Sequence, residues 1–152
     1  VYRYDESAKG WKLWKNTTLL TRSDTDAAAG KVYQYRIRPY CKMGDVYCFG
    51  KDSSAGKGMY VPKITGLTVS ASGNKSATLT WEKNGTMGGY NIYRYDEASN
   101  SYKYVAGTVR NVYTDKNLTV GKSYRYRMRA YVKVDGVVYY GMYSDLAPVT
   151  IK

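Results

Sequence analysis

"LTVGKSYRYRMRAYVKVDGVVYY", residues 118–140, is the stretch whose reading decides the fold. Between Ser123 and Val134 the side chains alternate: Tyr124, Tyr126, Met128 and Ala130 on one side, Arg125, Arg127, Arg129 and Tyr131 on the other. A period of two over this length marks a β-strand with one face turned to a core. Asp135-Gly136 follows as a type I′ turn pair, so "VVYYGMYS" (137–144) returns as the antiparallel partner.

The stretch has a relative inside the chain. Shifting the sequence by 91 residues aligns 1–61 with 92–152 without a gap, and 19 of the 61 positions are identical. "GKVYQYRIRPYCK" (30–42) matches "GKSYRYRMRAYVK" (121–133). Tyr2-Arg3-Tyr4-Asp5-Glu6 matches Tyr93-Arg94-Tyr95-Asp96-Glu97, and "VYCFGKDS" (46–53) shares Val, Gly and Ser with 137–144. A constant offset through loops and strands alike means two copies of one unit. Residues 62–91 have no counterpart ahead of Val1. The expectation is therefore a partial module over 1–61, lacking its first two strands, and a complete one over 62–152.

The complete copy reads as short strands separated by turn signals, the pattern of an all-β sandwich. "ITGLTVSAS" (64–72) leads to a Gly73-Asn74 turn, and "SATLTWEK" (76–83) sets Ala77, Leu79 and Trp81 on one face. "GYNIYRYDE" (89–97) turns Tyr90 and Ile92 inward, "SYKYVAG" (101–107) follows a polar turn, and "APVTIK" (147–152) closes the module. The order resembles that of a fibronectin type III domain, an immunoglobulin-like β-sandwich. Trp81, Tyr90, Ile92 and "LTVGKSYRYRMRAY" (118–131) carry the resemblance. Within it, Leu118 precedes Tyr124 by six residues across a Gly turn, similar to the family's tyrosine corner. That implies a phenol bonded back to the loop backbone.

The likeness is to such modules of large bacterial surface and secreted proteins, which implies a non-catalytic role outside the cell. The first copy departs from it. Tyr33 stands at its corner, but Ala27 replaces the Leu, and Pro39 stands where Ala130 lies. A proline in a long strand implies an edge position or a bulge. The two missing strands would leave a sheet face and an edge uncovered. The expectation is that the parent protein supplies them, or that a swapped or packed neighbouring chain completes residues 1–61.

Arg125, Arg127 and Arg129 interleave with Tyr93 and Tyr95 on the outward face of one sheet. They read either as a basic aromatic platform for an anionic ligand or as Arg–Tyr cover on an exposed sheet. Trp11 and Trp14 flank Lys12, and their spacing of three puts them on opposite faces. One of them is a candidate sugar-stacking residue or a contact for the next module. Cys41 and Cys48 lie opposite each other if Gly44-Asp45 is a two-residue turn. They read as a cross-strand disulfide or as two small core thiols.

Lys and Arg total 24 against 12 Asp and Glu, giving +12 with no His. That excess favours anionic wall polymers or glycans as partners. Nucleic acid is disfavoured, because no helix is evident for a βαββαβ recognition module. Without His, the usual general base and commonest metal ligand are missing. No catalytic, cofactor-binding or metal-ligating set is expected, and no apolar run is long enough for a membrane helix. The short connection "GKGMYVPKITG" (56–66) suggests a semi-rigid spacer between adjacent domains.

Overall fold

The computed structural model describes residues 1–152 apart from Asn74, Asn84 and Thr86, and the described residues form strands and no helix. The Gly73-Asn74 turn therefore lies in part outside the described residues. The chain divides into two compact units, Val1–Tyr60 and Val61–Lys152.

The first unit contains β1 (Tyr2–Asp5), β2 (Gly10–Leu13), β3 (Val32–Arg36), β4 (Tyr40–Met43), β5 (Val46–Phe49) and β6 (Gly56–Met59). Four of them make an antiparallel sheet in the order β2-β1-β3-β6, while β4 and β5 form a separate hairpin. The second unit contains β7 (Thr68–Ala71), β8 (Ala77–Thr80), β9 (Gly89–Asp96), β10 (Ser101–Thr108) and β11 (Val112–Asp115). It continues with β12 (Ser123–Val134), β13 (Val137–Tyr140) and β14 (Ala147–Thr150). Its sheets run β11-β8-β7 and β10-β9-β12-β13, with β14 also paired to β12.

The inward alternation of both sheets supplies the core of the second unit. Ala77 and Leu79 of β8, with Trp81 just beyond it, are buried together with Tyr90, Ile92, Tyr126, Met128 and Ala130. Trp81 meets Tyr90 edge to face at 5.2 Å between ring centroids, a favoured aromatic geometry. At Asp135-Gly136 both residues have positive φ, 49° and 80°, as a type I′ turn demands.

Two features differ from the sequence reading. The returning strand read over 137–144 stops at Tyr140 as β13; it and β14, the closing strand within "APVTIK", pair with successive halves of β12, Tyr131–Val134 with Val137–Tyr140 and Ser123–Tyr126 with Ala147–Thr150. Between them the Gly141 N–H donates to the Ala130 carbonyl at 2.9 Å and the Ser144 N–H to the Met128 carbonyl at 2.7 Å. The Met128 N–H in turn donates to Ser144 Oγ at 3.1 Å, so a hydroxyl replaces a ladder carbonyl. The second difference is β11, which the sequence reading did not include. Its single fully buried side chain is Asp115, so apolar alternation is masked there.

The first unit repeats this irregular edge. The Gly50 N–H donates to the Pro39 carbonyl at 2.9 Å, and the Ser53 N–H to the Ile37 carbonyl at 2.8 Å. The Ile37 N–H donates to Ser53 Oγ at 2.9 Å. Yet β3 ends at Arg36 and β4 begins at Tyr40, so the counterpart of β12 is broken around Pro39, which has no N–H to give to a ladder. None of the described residues of Val1–Tyr60 is fully buried. Ile37 is 57% exposed, whereas its counterpart Met128 is 0% exposed.

Candidate functional site

The outward face of the five-stranded sheet is a ladder of alternating guanidinium groups and rings. Arg125 lies over Tyr95 at 3.9 Å from the ring centroid, and Arg129 lies over Tyr140 at 3.9 Å. Between them Arg127 is sandwiched by Tyr143 at 3.8 Å and Tyr102 at 4.2 Å. The register explains the order: β12 pairs with β9 so that Arg127 faces Tyr93, and β10 brings Tyr102 opposite Tyr95. Tyr93 meets Tyr143 edge to face at 5.4 Å and receives a hydrogen bond from Arg129 Nε at 3.3 Å. Tyr93, Tyr95, Arg127 and Arg129 are all half-buried, and only Arg125 is exposed. The candidate contact residues on this face are thus engaged with one another.

The first unit varies the same theme. Arg36 lies over Trp11 at 4.7 Å, and Arg36 and Arg38 each approach the Tyr2 ring at 5.6 Å. Asp52 replaces the Tyr143 ring. It binds Arg36 at 2.9 Å and Arg38 through two hydrogen bonds, of 2.5 and 3.1 Å. Trp11 also meets Tyr4 edge to face at 5.4 Å. Trp14 contacts Tyr35 at 6.2 Å on the opposite face. Neither Trp stands free in solvent; both are half-buried.

Beneath each face lies an ionic cluster that sequence reasoning missed. The Tyr126 hydroxyl donates to Asp115 Oδ2 at 2.8 Å, and Arg94 Nη1 reaches the same oxygen at 2.6 Å. In the first unit Tyr35 donates to Asp24 Oδ2 at 2.7 Å and Arg3 at 2.8 Å. The signal was available, because Arg3 and Arg94, Asp24 and Asp115, and Tyr35 and Tyr126 are all identities at the 91-residue offset. Burial pushes the Tyr126 and Tyr35 hydroxyls well above the usual phenol range, and the neighbouring carboxylates push the same way. Burial raises Asp24 as well, but hydrogen bonds from Tyr35 and Arg3 outweigh it and hold the carboxyl below its usual range. A protonated phenol on a doubly bonded carboxylate is a lock, not an acid–base pair.

The corner tyrosines close the next loop. The Thr119 N–H donates to the Tyr124 hydroxyl at 2.9 Å, and the Ala28 N–H donates to the Tyr33 hydroxyl at 3.0 Å. Leu118 is buried beside the first, while Ala27 fills its counterpart and is half-buried, so the bond forms with or without the leucine. Cys41 and Cys48 lie directly opposite in the β4–β5 register as free thiols. Cys41 is exposed and Cys48 half-buried, which corrects the reading of two core thiols. Among the described residues no group of three or more His, Cys, Asp or Glu side chains is placed to hold a metal.

The β11-β8-β7 and β10-β9-β12 sheets, with β13 and β14 along β12 and a tyrosine corner ahead of it, define the second unit as a fibronectin type III fold. No protein-family model matches the chain, and no curated protein matches it. Among solved structures it is similar to a Fn3-like protein from Clostridium thermocellum at 25% identity, over 59% of this chain and 91% of that one, with a TM-score of 0.49. It is also similar to the sixth fibronectin type III domain of human fibronectin type III domain containing protein 3, at 21% identity, over 59% and 85% of the two chains, with a TM-score of 0.48. Domains A168–A170 of titin are similar at 17% identity, over 77% and 39% of the two chains, with a TM-score of 0.48. The fold assignment rests on the strand order of this chain itself.

Proposed function

We propose that the chain is a pair of non-catalytic spacer or scaffold modules from a secreted or surface-attached bacterial protein. In this reading residues 1–61 are a module short of its first two strands, and residues 62–152 are a complete one. The modules present adjacent domains of their parent and touch anionic wall polymer through diffuse charge. The observation that supports this is the state of the Tyr/Arg face. Arg125, Arg127 and Arg129 each lie within 3.9 Å of the centroid of a tyrosine ring of the same chain, so one planar face of each is already occupied, and Arg127, between Tyr102 and Tyr143, has both covered. What remains for a partner is the +12 net charge, which acts at a distance and without fixed geometry.

The test is binding of the full chain to a purified anionic wall polymer and to a neutral glycan panel, at low and high salt. Weak polymer binding that disappears as salt rises, with no neutral glycan bound, is the expected result. Salt-resistant binding that is lost on Trp11→Ala or Trp14→Ala would replace the spacer reading with a carbohydrate- or host-ligand-binding adhesin. Turnover in a hydrolase screen would overturn both.

A further inference from the structure

The hairpin of β4 and β5 is built from residues 40–49 alone, since its two strands pair only with each other. Gly44 supplies the positive φ, 59°, that a two-residue turn takes at its first position. The register sets Tyr40 opposite Phe49, Cys41 opposite Cys48, Lys42 opposite Tyr47 and Met43 opposite Val46. Successive residues of a strand point to opposite faces, so the hairpin has two unlike sides. Tyr40, Lys42, Tyr47 and Phe49 share one. There Tyr47 meets Tyr40 across the strands at 5.8 Å and stacks on Phe49 at 6.3 Å, and Lys42 lies over its ring at 5.6 Å. These contacts hold the two strands together from that side.

Cys41, Met43 and Cys48 share the other side with Val46, and Cys41 and Met43 are exposed. Both cysteines of the chain and a thioether thus meet on one face. At the 91-residue offset the three positions are Val132, Val134 and Tyr139, so the repeated hairpin carries no sulfur there. Directly opposed strand residues hold their Cβ atoms about 4.5–5.5 Å apart, against about 3.8 Å in a relaxed disulfide. Two sulfurs bound to one metal ion, each at about 2.3 Å, stand about 4 Å from each other. The pairing therefore suits an ion between the sulfurs better than a bond between them.

The ligand types select the ion. The one carboxylate of the hairpin, Asp45, lies in the turn and faces Lys42 at 3.9 Å, and the chain has no His. Zinc, which takes four nitrogen, oxygen or thiolate ligands, would find only the two thiolates. Two thiolates and a thioether are instead the soft set that favours Cu(I), and the unbranched Met side chain can swing its sulfur toward the pair. We propose that Cys41, Met43 and Cys48 form a three-sulfur site for Cu(I). Binding releases both thiol protons to solvent, forms three copper–sulfur bonds and changes no oxidation state.

The experiment titrates the full chain, reduced and kept free of oxygen, with Cu(I) against a chromophoric Cu(I) chelator. The expected result is a single Cu(I) withheld per chain, with a near-ultraviolet sulfur-to-copper band. Cys41→Ser and Cys48→Ser should each abolish that band while the circular dichroism stays unchanged. Met43→Leu should weaken binding by about tenfold or more, since losing even an outer-shell partner costs a metal site that much. Failure of the reduced chain to hold Cu(I) against the chelator overturns the proposal. So does Cu(I) held equally well by Cys41→Ser, or an affinity unmoved by Met43→Leu. Zn(II) bound as tightly as Cu(I) would overturn the assignment of a soft site.

Discussion

Tyr126 and Asp115 are joined by a 2.8 Å hydrogen bond that ties the end of β11 to the middle of β12, and Arg94 of β9 completes the tie from the neighbouring strand. A strand of one sheet is thereby fastened to two strands of the other through a single carboxylate oxygen. The same three residue types, at the same offset, fasten residue 24 in the first unit.

Removing the carboxylate should be far worse than removing the phenol hydroxyl. Asp115→Ala leaves a guanidinium without its counter-charge and a hydroxyl without an acceptor, at a cost of about 3–5 kcal/mol. Tyr126→Phe leaves the Arg94 pair intact and should cost about 1–3 kcal/mol. Urea denaturation of the two variants checks the order. Equal losses would mean that the carboxylate acts only through Tyr126.

Asp96 and Asp5 give the chain an acid limb. A hydrogen bond from Lys103, aided by the Ser99 hydroxyl, holds Asp96 down at about 2, and Lys12, aided by the Ala8 N–H, does the same for Asp5. Both values lie below the roughly 3.9 of an unfolded aspartate. Their contribution is therefore fully present above about pH 4 and is lost as the pH falls toward 2. Lys103→Gln should move the Asp96 carboxyl up toward its ordinary value in a carbon-detected NMR titration and flatten the acid limb. An unmoved Asp96 titration would show that Lys103 is not the cause.

Ser144 and Ser53 each stand in for a ladder carbonyl where the edge strand is interrupted. Ser144→Ala removes the acceptor for the Met128 N–H, a buried donor, and should cost about 1–3 kcal/mol. Ser53→Ala removes the same bond from the half-open first unit, where water can replace it, so the loss should be smaller. Thermal melts of the two variants, followed by amide exchange at Met128 and Ile37, test the contrast.

The sandwich was legible in the alternation of residues 123–134 and in the identities at the 91-residue offset, because a half-buried strand must show a period of two. Two parts were hidden for opposite reasons. β11 escaped because its inward position is Asp115, a polar residue that a hydrophobic pattern counts as outward. The end of β13 at Tyr140 was hidden because Ser144 Oγ takes the place of a ladder carbonyl, a device that leaves no apolar trace. The Tyr/Arg face was visible as composition, but its state was not. Alternation puts Arg127 outward without saying that Tyr102 and Tyr143 will close on it from both sides. Trp11 and Trp14 fell on opposite faces as their spacing required, and only their neighbours revealed that each ring is already in contact with other aromatic groups.

The most direct measurement on the central claim, that the Tyr/Arg face is internal cover and not a ligand site, is Arg127→Ala examined for stability and polymer binding together. The expected result is a loss of stability of about 1–2 kcal/mol from the vacated double cation–π stack, with polymer binding changed by no more than one charge in twelve would change it. Unchanged stability combined with the disappearance of a salt-resistant ligand would contradict it.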